Sequence, residues 1–324
     1  MAQAVKLGRS MWVKTKNSWF YDVVMGGRTL PHIWRRVAVV AALASAVTWG
    51  FHHLKWMHFS LTVTPFTLIG LPLAIFLGFR NNASYDRFWE GRKLWGSLVN
   101  TTRSFARQIT TFIEAPPDAT QEERDAVTAE QASLVRIVIA YVHAFRHHLR
   151  DQDTKAGLDE VLTKDELARV SLQENVPLAI LALLGDRLAS ARRRGWLHVM
   201  HAPVLEASLV SLTDVQGACE RIKTTPIPYS YTVLMHRIVG GYCILLPFGI
   251  GEAMGWVSVP VVVVVSYALF GLDAVGDELE QPFGTDTHDL ALFAISRTIE
   301  INLLRRIGAT DVPAPAKPHQ GVLA

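Results

Sequence analysis

Residues 61–79, LTVTPFTLIGLPLAIFLGF, form an unbroken run of nineteen residues without a charge. A run of about 20 apolar residues matches one helical crossing of a bilayer's hydrocarbon core. Inside hydrocarbon every backbone N–H and C=O must be satisfied within the segment, which selects a helix. The run ends abruptly at Arg80, where RNNASYDRFWEGR is polar and basic. Within it Leu71, Ile75 and Phe79 recur at i, i+4 and i+8 and share one helix face. On a helix that faces lipid such a face carries no message. On a helix that lines a pore it is a row of apolar constrictions.

The rest of the composition fits a membrane part joined to a large polar part. Half of the 324 residues are hydrophobic and 19% are charged, with a mean hydropathy of +0.21. That is too apolar for an average soluble domain and too charged for a bundle of spans alone. The formal charge of +3 is small and spread along the chain, so it makes no clustered nucleic-acid footprint. Basic flanks on the cytoplasmic side of spans explain it. The two cysteines, Cys219 and Cys243, fall in a polar helical stretch and in an apolar span, which indicates no disulfide framework. No cleavable signal peptide is expected, because the first apolar run starts too late for one.

In chain order, residues 1–36 carry Lys6, Arg9, Lys14, Lys16, Arg28, Arg35 and Arg36 against Asp22. Residues 37–51 are apolar, flanked by Trp34 and Trp56 as interfacial aromatics flank a span. The loop that follows holds a single Lys or Arg, Lys55, which places the loop outside and the N-terminus in the cytoplasm. Residues 88–113 read as an amphipathic continuation of the second span, and EAPPDAT at 114–120 as a break. Residues 126–150, 176–194 and 197–223 read as further helices, with a polar connection at 151–163. No strand pattern of convincing length is present.

Residues 238–272 contain one charge, Glu252, and are interrupted by GIGEAMGW, which reads as a turn between two spans. Two crossings need more length, so the third span is expected to begin near Tyr229. Residues 290–307 read as a last amphipathic helix, with Leu292, Ile295, Ile299 and Leu303 in register. Four spans result, both ends inside, in five segments: 1–79 with the first two spans, 80–228 cytosolic and helical, 229–274 with the third and fourth spans, 275–310 a C-terminal cytosolic helix, and 311–324 a disordered tail.

Three separated segments, GLPLAIFLGFRNNASYDRFWEGRKLWG, QGACERIKTTPIPYSYTVLMHR and DELEQPFGTDTHDL, resemble the bestrophin family in its bacterial branch, over roughly residues 10–308. The resemblance implies an all-α homopentamer in the bacterial inner membrane around one central pore. It conducts small monovalent ions, anions or, as in some bacterial relatives, Na⁺ and K⁺. It also implies that Leu71, Ile75 and Phe79 form the narrow neck. Counting back from GACER, it places the cytosolic aperture at Met200. Rings of apolar residues gate by dewetting.

Animal bestrophins bind Ca²⁺ in an acidic clasp after a Pro-Phe-Gly. Here PFGTDTHDL keeps only Asp286 and Asp289, while Ca²⁺ takes six to eight oxygens. The other reading is that Thr285, Asp286 and Thr287 cap the next helix. No other cofactor and no nucleic acid is expected.

His143 and His147 have the i, i+4 spacing of helical metal ligands. Arg146 and Arg150 beside them favour an ordinary polar face, as the surroundings do for His52, His53 and His58. Glu220 and Arg221 read as a structural pair, as do Glu278 or Glu280 with nearby bases. Two other functional classes remain, a metal-dependent membrane enzyme using the histidines and a non-conducting membrane scaffold. The channel reading predicts no enzyme activity.

Overall fold

Helical periodicity does not stop where the charge-free run ends at Arg80, and the consequence is one helix of 50 residues. The computed structural model describes residues 29–54, 61–286 and 288–317. Among them the regular structure is helical, with one isolated antiparallel bridge between Ile113 and Leu197. The helices are α1 (Thr29–His53), α2 (Val63–Phe112), α3 (Gln121–Leu149), α4 (Lys164–Ser171), α5 (Val176–Arg193), α6 (Ala202–Thr224), α7 (Tyr229–Met254), α8 (Ser258–Glu280) and α9 (Leu292–Arg306). Val63–Phe112 and Tyr229–Glu280 are long and apolar enough to cross a membrane.

The chain divides into two units. One holds 29–89 and 226–282 among the described residues, the other 90–225 and 283–317. α2 contributes its first half to one and its second half to the other. The expected segment boundaries at 79/80 and 274/275 therefore fall inside α2 and α8. Residues 1–28, which carry Lys6, Arg9, Lys14, Lys16, Asp22 and Arg28, lie outside the described residues. So do Lys55, Trp56, His58, Thr287 and residues 318–324 of the expected tail.

The first unit is a packing of α1, α2, α7 and α8 around Ile33, Val40, Ala44, Leu73, Leu77, Val239, Cys243, Leu246, Val262 and Phe270. Buried hydroxyls of Thr48 and Ser258 meet at 3.0 Å across α1 and α8. The segment GIGEAMGW holds the expected turn between the two apolar helices, but only at its C-terminal end. α7 continues through it to Met254, and the reversal comes at Gly255, at φ +53°, followed by a 3₁₀ turn, Gly255–Val257. Gly249 serves packing instead: a Cβ there would overlap the Phe66 ring, and one on Gly251 would lie 3.1 Å from the Phe51 ring.

In the second unit α3 is the centre. Its buried face runs through Leu134, Ile137, Val138, Tyr141 and Phe145. The rings of Trp95 and Phe145, and of Phe145 and Tyr141, stack nearly parallel at 5.7 and 5.9 Å. The connection at 151–163 has the expected bounds and carries a 3₁₀ turn at Leu158–Glu160; the short helix after it is not among those expected from the sequence. Thr163 and Glu166 make a reciprocal capping box and start α4 at Lys164. The helix read as beginning at residue 197 begins at Ala202, because residues 197–201 form a turn and Pro203 occupies the first turn of α6. Glu220 and Arg221 do not pair, since adjacent helical residues point about 100° apart. Glu220 accepts from Asn175 and Gln216 and meets His148, while Arg221 donates to Glu90 at 2.9 Å.

A polar seam joins α3 to α9. Arg146 donates to Ser296 Oγ at 3.0 Å and lies over the Phe293 ring, and burial lowers its pKa to about 10, with Arg150 and Arg297 adding to the effect. Burial also lowers His147, helped by the Arg146 charge. Burial alone would raise the Glu300 carboxyl, but its His143 bond at 3.1 Å and the charges of His143, Arg297 and Arg146 outweigh it and hold it low.

Two outcomes follow from this packing. Gly249→Ala overpacks the α2–α7 contact, at a cost of order 1–3 kcal/mol. Thermal unfolding of the purified protein reads the loss, and Phe66→Leu in the same chain should recover part of it. Acid should loosen the α3–α9 seam. The unfolded chain takes up protons at His147 below about pH 6.5 and at Glu300 near 4.5, before the folded chain does, so stability falls as pH falls through both ranges. Amide exchange in α9, corrected for intrinsic rate, should quicken from pH 7 to pH 4; unchanged protection would contradict this.

Candidate functional site

The first half of α2 has two opposite faces. Phe66, Leu73, Leu77, Arg80 and Ser84 are buried, facing the other helices of their unit. Leu68, Leu71, Ile75 and Phe79 are exposed, the last three by 68%, 48% and 62%. Two residues along a helix turn by about 200°, so Leu71 and Leu73, like Ile75 and Leu77, point in opposite directions. Helical periodicity puts Leu71, Ile75 and Phe79 on one face, and Ile69 and Phe76 beside that face are exposed as well, by 50% and 52%. Only packing separates that face from the buried one, since both are equally apolar. Pro72 lies inside the helix, and the Tyr231 hydroxyl of α7 donates to the Phe76 carbonyl at 3.2 Å, tying α2 to its neighbour one turn before Arg80.

Met200 lies in the second unit, near the end of the turn that leads into α6, and is 72% exposed. The turn is held firmly. Glu114 N–H donates to the Trp196 carbonyl at 2.8 Å, and Trp196 Nε1 donates to Glu123 at 3.1 Å. Met200 N–H donates to His198 Nδ1 at 3.2 Å, and the His201 ring stacks on Phe112 at 4.4 Å. Met200 is thus a mobile side chain type on a fixed backbone.

Asp286 and Asp289 occupy one turn, closed on itself. Asp286 N–H donates to Asp289 Oδ2 at 2.6 Å, and Asp289 N–H to the Asp286 carbonyl at 3.2 Å. Asp289 is buried. This is not a helix cap either, because α9 starts at Leu292 with Ala291 at its N-cap position and no side-chain cap. Among the described residues the turn offers two carboxylates, one of which already accepts a backbone N–H, against the six to eight oxygens that Ca²⁺ takes. Arg150 NH2 donates to the neighbouring Leu290 carbonyl at 3.2 Å.

The histidines of α3 do not converge on a metal. His143 turns to Glu300, and His147 bonds the Asp153 carbonyl through Nδ1 at 2.7 Å and Arg146 through Nε2 at 2.5 Å. Glu280 accepts from Ile227 N–H at 3.0 Å, and its carbonyl accepts from Arg87 Nε at 3.2 Å, so that end of α8 is architecture. Burial raises the Cys219 thiol well above its ordinary value, which leaves it inert at neutral pH.

Sequence reasoning missed one cluster. Arg80, His236, Asp273 and Asp277 come from α2, α7 and α8 and meet in the first unit. The available signal was the i, i+4 pair of acids in LDAVGDELE at the end of an apolar helix, where unpaired charge is costly.

The chain matches the model of the bacterial and fungal bestrophin proteins over residues 11–305. A voltage-dependent anion channel-forming protein of Ralstonia nicotianae is 38% identical over 97% of this chain and 100% of its own. One of Escherichia coli K12 is 35% identical over 96% of this chain and 98% of its own. The crystal structure of a bacterial bestrophin homologue from Klebsiella pneumoniae superposes with a TM-score of 0.79 at 32% identity, covering 86% of this chain and 100% of that one. The family match spans the α2 face, Met200 and the turn before α9. The chain belongs to the bacterial and fungal bestrophin family.

Proposed function

We propose that this protein is a homopentameric channel of the bacterial inner membrane that passes small anions. α1, α2, α7 and α8 are its four spans, and both termini lie in the cytoplasm. Leu71, Ile75 and Phe79 form the neck and Met200 the cytosolic aperture. The observation that carries the reading is the exposed apolar stripe of α2, opposite the face that packs on its own unit. Five copies of such a stripe around an axis give stacked hydrophobic rings, a constriction that gates by dewetting.

The stripe contains no fixed charge, so selectivity must come from weaker fields. Phe79 supplies aromatic edges, which carry partial positive charge and favour a partly dehydrated anion. The names of the Ralstonia and Escherichia relatives support the same sign. The turn at Asp286 and Asp289 acts as structure here, and Ca²⁺ is not part of the proposed mechanism. An enzymatic role for His143 and His147 has no converging donor set behind it, and a scaffold role leaves the exposed stripe without a purpose.

In a planar bilayer under a KCl gradient, the reversal potential should move toward the chloride equilibrium potential. Movement toward potassium would make the protein a cation channel with the same neck. Leu71→Ala, Ile75→Ala and Phe79→Ala should each raise conductance several-fold, and parental currents in all three would remove the neck assignment. The mass of the detergent-solubilised assembly should equal five chains.

A further inference from the structure

We propose that the polar cluster shared by α2, α7 and α8 is a binding site for a divalent transition metal of the zinc type, held by His236 Nε2, Asp273 Oδ2 and Asp277 Oδ2. The site does not depend on ion conduction and uses none of the neck residues.

Asp273 and Asp277 stand one turn apart on α8 and present their carboxylates on one side. The Arg80 side chain, with no solvent exposure, holds both by their Oδ1 atoms: NH1 donates to Asp273 at 2.8 Å and NH2 donates to Asp277. Gly276 makes room for this approach, since a Cβ there would lie 2.5 Å from Asn81 Oδ1. With the Oδ1 atoms fixed, the two Oδ2 atoms turn toward His236 Nε2, at 3.4 Å for Asp273 and 3.3 Å for Asp277. One donor atom from each of the three residues lies within 4.8 Å of the other two.

These spacings suit zinc. Bonds of 2.0–2.2 Å in a tetrahedron put neighbouring ligand atoms about 3.3–3.6 Å apart. Calcium, with bonds of 2.3–2.6 Å and six or more oxygens, fits neither the spacing nor the imidazole. Arg80 plays the part that outer hydrogen bonds play at metal sites, orienting each carboxylate through its second oxygen.

One atom calls for a ligand in particular. Asp273 is 1% exposed, and its Oδ2 has no hydrogen-bond partner. A buried carboxylate oxygen left so is costly. Arg36 stands 3.7 Å from this oxygen, with a side chain 53% exposed. That is an ion pair through a gap; Arg36 also lies over the Phe270 ring, 6.0 Å from its centroid, and half of its side chain is exposed, so a bound metal would displace it outward. The two carboxylates and Arg80 then sum to one negative charge, which favours a cation. His236 binds as the neutral imidazole with its proton on Nδ1. The half-exposed side chains of His236 and Asp277, at 35% and 42%, provide the way in.

The test uses the full-length protein in detergent, stripped with a chelator. Calorimetric titration with Zn²⁺ should give one ion per chain. His236→Gln and Asp277→Asn should each weaken binding at least about 100-fold, while His143→Gln leaves it unchanged. Arg36→Gln should tighten it, which a purely structural salt-bridge cluster would not do. Co²⁺ on the parent protein should show the intense visible bands of a tetrahedral site, a readout that needs no variant to fold. Failure of the parent to take up zinc, uptake undiminished in both ligand variants, or an octahedral cobalt spectrum would each overturn the proposal.

Discussion

The buried guanidinium of Arg80 sets conditions that the surrounding helices must meet. It stands immediately after the charge-free run, where the helix has already committed one face to the interior. A charge without water survives there only if opposite charges are fixed around it, and removing a partner from such a pair costs about 3–5 kcal/mol. Asp273 and Asp277 provide that balance from α8, with His236 of α7 beside them. The ion pairs therefore fix the register of α8 against α2. They also fix the rotation of α2 about its axis, because Arg80 must point inward. With that rotation set, Leu71, Ile75 and Phe79 have no choice but to point away from the core of their unit.

This is how an interaction outside the proposed neck governs the face that carries the proposed function. Apolar side chains alone pack with little directional preference, and a helix as uniformly apolar as residues 61–79 has no amphipathic face to orient it. The charged group at its end supplies the missing direction. Gly249 and Gly70 act in the same sense from the other side, admitting Phe66 and Tyr242 so closely that sliding the helices would bring rings onto backbone. The second unit is organised differently. Its core is aromatic and aliphatic around α3, and its polar contacts lie along a seam with α9, where each charge has partners of opposite sign or a ring face.

Much of the helical layout was legible in the sequence, and the misreadings share a cause. The continuity of α2, the start of α7 at Tyr229 and the break at 114–120 follow from periodicity, charge and proline, which act locally. The glycines of GIGEAMGW were read as a turn because glycine permits one. Gly255 does make the turn, but Gly249 and Gly251 are helical and leave space for the Phe66 and Phe51 rings. The aspartates after Pro282 resembled ligands or caps, but the Asp289 carboxylate accepts from the Asp286 N–H within the turn, and the Asp289 N–H returns to the Asp286 carbonyl. Glu220 and Arg221 looked like a pair because they are adjacent, whereas a helix sends adjacent residues to different partners. The capping box at Thr163 and Glu166 was readable and marks α4, a helix too short to show a period.

The sequence by itself determined that this chain is helical, that it carries apolar segments of membrane length, and which family it resembles. Those properties reside in hydrogen-bond satisfaction along one segment, in the length of apolar runs and in short motifs, none of which needs a distant partner. Only the tertiary structure decided which face of α2 is exposed and that Arg80, His236, Asp273 and Asp277 meet. It also decided that Asp286 and Asp289 close on themselves. Each of these depends on residues far apart in the chain arriving at contact distance. There, burial and charge pairing decide between arrangements that the local sequence leaves equal.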